Sequence, residues 1–167
     1  QFDPAFLKIS PGHKIPALVD SNGPSGALTL FESGAILKYL GEKAENGLYP
    51  ADPARRAAVD QWLFFGSATF TTLAQQFGFF HLRCPDDVPV AKSHYAALMR
   101  DMFATLDKQL AENEFVAGEH SVADIALYAD VHIYGTGEIG LADYSNLKRW
   151  HDTIEARPAV QKAWGPH

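Results

Sequence analysis

The chain has 167 residues, 47% of them hydrophobic and 20% charged, with a net charge of −6 and a pI near 5.6. Such a length and apolar content can bury the core of one domain, or of one and a half, and exclude general disorder. The acidic balance argues against a nucleic-acid binder, which needs clustered positive charge to displace counterions, but leaves room for a small anionic ligand held at one local cation.

A single cysteine, Cys84, excludes an intrachain disulfide and suits a reducing compartment, so the expected location is cytoplasmic. No apolar run reaches the roughly 18 residues of a membrane span, so no membrane partner is expected. The chain opens Gln1-Phe2-Asp3-Pro4, without an initiator methionine, and further sequence is expected upstream.

In chain order, Asp3-Pro4 combines a helix-capping acceptor with a proline suited to the first helical position, and predicts a short helix over Ala5 to Ile9. Ser10-Pro11-Gly12 breaks it. Ala17-Leu18-Val19 and Leu28 to Phe31 read as two short strands joined by a turn over Ser21 to Gly26, which together make a β-hairpin. From Glu32 the spacing becomes helical, with Ile36, Tyr39 and Leu40 on one face. Gly47 to Ala51 reads as a linker. Asp52-Pro53 repeats the capping signal before Val59, Trp62 and Leu63, and Gly66 with Thr69 to Thr72 predicts a bend. Cys84-Pro85-Asp86-Asp87 marks a loop. The next helix carries one apolar stripe through Tyr95, Leu98, Met99, Met102, Phe103, Leu106 and Leu110. Ser121 to Asp124 is a variant capping box, with Asp in place of Glu or Gln, opening a helix that runs to about Tyr134. Leu147, Trp150 and Ile154 give another helix, and Arg157-Pro158 starts a short last one. The expected architecture is an α/β unit over residues 1–46 followed by an all-helical unit over residues 52–167. Two strands and a helix do not make a stable sheet alone, so further strands are expected to complete the first unit.

The stretch that carries chemistry is Pro11 to Asp20 with Leu30 to Ile36. Pro16 stands just before a strand, where a proline suits a turn and a cis bond; that bond would aim the backbone of Ile15 outward, ready to pair with an extended peptide. Ser33 falls in the first turn of a helix, where free N–H groups and the positive end of the dipole accept a carboxylate. Glu32 beside it is an acceptor for an ammonium group, so the pair recognises an α-amino acid. Lys14 adds a cation for a second carboxylate. An anionic peptide with an α-amino-acid end and a distant carboxylate describes glutathione.

Lys14-Ile15-Pro16-Ala17, Phe31-Glu32-Ser33-Gly34-Ala35-Ile36, Tyr39-Leu40, Ser121 to Ala126 and Arg157-Pro158-Ala159 occur in the order found in the glutathione transferase superfamily, which the chain resembles over almost its whole length. The likeness is nearest to the bacterial nu class and its relatives among fungal nitrogen regulators. The resemblance implies a thioredoxin-like domain, lacking its N-terminal βαβ part, ahead of an all-helical bundle. It implies that Ile15 pairs with the cysteinyl part of glutathione, that Pro16 is cis, and that Glu32 and Ser33 hold the γ-glutamyl end. It further implies that Lys14, with His13, faces the glycyl carboxylate, although His13 departs from the small residue common there. The family's thiol-activating Tyr, Ser, Thr or Asn lies at the first strand–helix junction, which is expected upstream of Gln1, so no catalytic residue is assigned within the chain.

The implied activity is conjugation of glutathione to small apolar electrophiles, or reduction of disulfides with it, in a homodimer; the alternatives are a non-catalytic regulatory or assembly relative, and a glutathione-dependent isomerase or dehalogenase. The aromatic run from Trp62 to Phe80 is denser than one helix face can hide, and Trp62, Phe65 and Phe70 are expected to line an apolar acceptor pocket or a subunit interface. His81, His94, His120, His132 and His151 show no metal-ligand spacing, and no metal is expected.

Overall fold

The computed structural model describes residues 1–164, so the last three residues of the expected helical unit lie outside the described residues. Helix α1, Pro4–Leu7, starts where the Asp3 carboxylate accepts the Ala5 N–H at 2.7 Å. Strands β1, Ala17–Gly23, and β2, Gly26–Phe31, pair antiparallel, with Ala17 opposite Phe31 and Asp20 opposite Leu28. The predicted turn is shorter than expected. The strands run into it because the ladder slips between Asp20 and Gly23, and the Asp20 carboxylate accepts the Asn22 N–H at 2.9 Å where the ladder fails it.

Helix α2, Ser33–Lys43, follows at once. Ile36 is buried and Leu37 half-buried, but Leu40, expected on the same face, is exposed. Gly41 takes that place against the rest of the protein: a Cβ there would lie 2.8 Å from the Tyr49 Cβ and 2.9 Å from Val122 Cγ1. The absence of a side chain lets α2 close on the helical unit.

That unit begins at α3, Pro53–Phe64, capped by Asp52, whose carboxylate accepts the Arg55 N–H at 2.9 Å. The predicted bend is a π-helical turn over Phe65–Phe70, after which α4 continues over Thr71–Gly78 and a second π-helical turn over Phe79–Arg83. Then follow α5 (Pro89–Leu110), α6 (Val122–Gly135), α7 (Ser145–Glu155) and α8 (Pro158–Trp164). The α5 stripe is buried as its spacing predicts: Met99, Phe103, Leu106 and Leu110 are closed to solvent and meet Phe70, Leu127 and Trp150 in one core.

Asp124 ties this core to its loops. It is fully buried, and its Oδ1 accepts the Trp150 indole N–H at 2.8 Å and the Val116 N–H at 3.0 Å. Its Oδ2 accepts the Ser121 N–H at 2.9 Å, while Ser121 Oγ accepts the Ala123 N–H at 3.3 Å, so the capping box closes with Asp in the third helical position. One carboxylate thus caps α6, fixes the preceding loop and anchors α7. Ser121→Ala is expected to cost about 1 kcal/mol. Asp124→Ala, which strands several buried donors, is expected to cost about 3 kcal/mol or more. Urea unfolding followed by Trp fluorescence checks both, and equal losses would contradict this hub role.

Candidate functional site

The loop before β1 and the start of α2 form one side of a cleft. Ser10, 1% exposed, donates its hydroxyl to the Lys14 carbonyl at 2.8 Å and pins the loop from below. The Ile15–Pro16 bond is cis, and Ile15 is exposed. Glu32 has φ 71°, in the left-handed region that non-glycine residues rarely occupy, and such backbone concentrates at ligand sites. Ser33 is the first residue of α2, and no side chain caps that helix, so its first N–H groups are left for a ligand or water.

The cleft holds about 250 Å³, near the lower bound of small-molecule sites. Lys14, Ile15, Pro16, Glu32 and Ser33 all line it. His13, expected with them, does not; its backbone has φ 55° and its ring rests on Phe2, 5.5 Å between centroids. The opposite wall is Ser67, Thr71, Thr72 and Gln75, none of which was anticipated. Their signal was present as polar residues at i, i+4 and i+8 (Ser67, Thr71, Gln75) within an otherwise aromatic helix.

The expected aromatic lining is corrected at Phe70. Phe70 is fully buried against Phe103, ring centroids 6.0 Å apart, and lines neither a pocket nor an open surface. Trp62 and Phe65 pack edge-on against each other at 5.2 Å and lean on the core; neither lines the cleft. Behind the polar wall, the Thr71 hydroxyl donates to the Asp130 carboxylate at 2.5 Å. Burial pushes the Asp130 carboxyl above its ordinary value, and the Thr71 hydrogen bond opposes this.

Two clamps set the position of α2. On the hairpin side, Asp20 accepts from the Tyr39 hydroxyl at 2.6 Å and pairs with Lys43. The Lys43 ammonium first, then the Tyr39 hydroxyl and the Asn22 N–H, hold the Asp20 carboxyl at about 2, below its ordinary 3.8. On the helical side, Lys38 pairs with Asp60 of α3 at 3.0 Å, and the Tyr49 hydroxyl donates to the same carboxylate at 2.9 Å. At the cleft itself, a Cβ on Gly34 would lie 3.3 Å from Ser67 Oγ, so the start of α2 stands directly against the polar wall.

The histidines also depart from expectation. His132 and His151, 19 residues apart on α6 and α7, meet with Glu155 in one cluster, an arrangement that linear spacing does not reveal.

The family model described as Glutathione S-transferase, N-terminal domain matches residues 1–43, and the one described as Glutathione S-transferase, C-terminal domain matches residues 83–164. The chain is 40% identical to disulfide-bond oxidoreductase YfcG of Escherichia coli, over 98% of this chain and 77% of that protein. It is 34% identical to disulfide-bond oxidoreductase YghU of the same organism, over 97% of this chain and 58% of that protein. Among solved structures, a glutathione transferase from Burkholderia graminis with two glutathione molecules bound per subunit superposes with a TM-score of 0.90 at 35% identity, covering 96% of this chain and 70% of that one. The fold is thus that of a glutathione transferase, a small sheet with helices ahead of a helical bundle. The chain belongs to the glutathione S-transferase family.

The clamp on α2 gives a pH test. A carboxyl depressed in the folded state contributes stability that is present above its ordinary value of 3.8 and is lost as pH falls through about 2. Asp20→Asn is expected to lower Tm at pH 7 and to lose most of that deficit at pH 2. A deficit that is equal at both pH values would contradict the charged clamp.

Proposed function

We propose that the chain supplies the glutathione-binding half of a nu-class glutathione transferase that reduces disulfides, or attaches glutathione to electrophiles. The observation that carries the reading is the convergence of the Lys14-Ile15-Pro16 edge and the Glu32-Ser33 helix start on one cleft. The names of the relatives support it, since YfcG and YghU are disulfide-bond oxidoreductases and the B. graminis enzyme binds glutathione.

Each residue then has a chemical task. Glu32 accepts the γ-glutamyl ammonium, and the Ser33 hydroxyl and the first N–H groups of α2 donate to the adjoining carboxylate, aided by the helix dipole. The backbone of Ile15 pairs with the cysteinyl unit as an added strand. Lys14 holds the glycyl carboxylate. The thiolate is the nucleophile. It attacks one sulfur of a disulfide, releases the other as a thiolate, and leaves a mixed disulfide; a second glutathione thiolate attacks this adduct at the glutathione sulfur, giving glutathione disulfide and the second free thiol. The polar wall of Ser67, Thr71 and Gln75 favours disulfide partners of polar character over a purely apolar electrophile. The group that stabilises the thiolate is proposed to come from sequence preceding Gln1, in keeping with the coverage of 77% and 58% of the two E. coli relatives. The working form is proposed to be a homodimer with no nucleic-acid or membrane partner.

Full-length protein is expected to bind immobilised glutathione. Glu32→Ala combined with Ser33→Ala removes two charge-assisted contacts and is expected to weaken binding about 100-fold, equivalent to about 3 kcal/mol. Undiminished retention of the double variant would remove the site assignment. Light scattering of the full-length protein is expected to give twice the protomer mass, and a monomer would count against the proposed assembly.

A further inference from the structure

The three hydroxyls of the polar wall all turn their protons away from the cleft. Ser67 donates to the Leu63 carbonyl at 2.9 Å and Thr72 to the Ala68 carbonyl at 2.8 Å, each one turn back along the chain. Thr71 donates across to the Asp130 carboxylate of α6 at 2.5 Å. A hydroxyl carries one proton and two lone pairs, so these three oxygens offer a ligand lone pairs alone. Of the side chains on that wall, only the Gln75 amide has protons left to donate.

Thr71 differs from the other two in its partner. A backbone carbonyl is neutral, whereas a carboxylate polarises the hydroxyl and makes its oxygen the stronger acceptor. Packing brings this pair together. Within the π-helical turn, a Cβ on Gly66 would lie 3.2 Å from Leu127 Cγ and 3.6 Å from Ala126 Cβ, so the turn sits directly on α6. Asp130 stands one turn beyond Ala126 and meets Thr71 where the π-helical turn ends. Asp130 is half-buried, and among the described residues no lysine, arginine or histidine pairs with it. Burial accordingly pushes its carboxyl above the ordinary value. One carboxylate, that of Glu32, thus lines the cleft directly, and a second stands behind Thr71 without a cation of its own.

We propose that Asp130 is a positioning residue that makes the Thr71 hydroxyl an obligate acceptor for the ammonium group at the α-amino-acid end of the ligand. The inference rests on the glutathione reading above, which puts that end at Glu32 and Ser33, and it adds a group on the opposite wall. A Cβ on Gly34 would lie 3.3 Å from Ser67 Oγ, so the tip of α2 and the wall flank one small ligand group. An ammonium has three N–H donors. Glu32 accepts one from the α2 side, and Thr71 accepts another from α4 with the Asp130 charge behind it. Asp130 acts through Thr71 and touches no reacting atom. The same arrangement sets specificity: a γ-glutamyl peptide with a free amine makes the contact, and one whose amine is missing does not.

The test measures, by calorimetry, the affinity of the full-length protein for two peptides: glutathione, and glutaryl-cysteinyl-glycine, in which hydrogen replaces the amine. The wild-type protein is expected to prefer glutathione. Thr71→Val and Asp130→Asn are each expected to lower affinity for glutathione by at least about 10-fold and to leave affinity for the glutaryl peptide unchanged. Thr71→Ser, which keeps the hydroxyl, is expected to bind both peptides as the wild type does. The double variant Thr71→Val with Asp130→Asn is expected to lose no more than Thr71→Val alone, because Asp130 acts through that one oxygen. Disturbed packing would weaken both peptides together. Equal loss of both, or loss of neither, would therefore overturn the proposal, while wild-type binding of glutathione would leave the earlier reading in place. A wild-type protein that binds neither peptide would remove both.

Discussion

Helix α2 is held by two bodies at once, and the site follows from that constraint. Asp20 binds it to the hairpin through Tyr39 and Lys43, and Asp60 binds it to α3 through Lys38. Its first residue, Ser33, is thereby placed against both the Ile15-Pro16 edge and the polar wall of the π-helical turn and α4. Neither clamp touches the cleft. Exposed ion pairs are individually weak, so their value here is geometric: they fix where the positive end of a helix points. Gly34 and Gly41 permit the close approach by lacking the side chains that would collide with Ser67 and Tyr49.

The helical unit supplies the other half of the constraint. Asp124 gathers the cap of α6, the preceding loop and Trp150 on one buried carboxylate, and Leu48 accepts the Val122 N–H at 2.9 Å, joining the linker to the same cap. The linker therefore leaves α2 in a fixed relation to α6. A cleft lined both by the loop before β1 and by α4 needs such a seam, since a misplacement of about 1 Å at a reacting group costs rate heavily.

Much of this was legible in the residues, for identifiable reasons. Asp3-Pro4, Asp52-Pro53 and the Ser121–Asp124 box act within one turn of helix, so their meaning survives without tertiary information, and each caps the helix it was expected to cap. The five cleft residues around Pro16 and Ser33 were also legible, because the chemistry of a strand edge and of a helix start is local. What the sequence hid depends on packing. Phe70 sinks into the core and Ser67, Thr71 and Gln75 take the wall, because the π-helical turn changes which side of the segment faces α2. Leu40 turns outward because Gly41 makes the contact. His132 and His151 meet only through the pairing of α6 with α7, which no linear spacing records.

The account stands on glutathione lying between the Ile15 edge and the tip of α2. Amide hydrogen exchange of the full-length protein, measured with and without glutathione, addresses this directly. Slowed exchange at Ile15 and at Ser33 and Gly34, with α7 unaffected, is the predicted result. Protection confined to other parts of the molecule, with those amides unchanged, would contradict it.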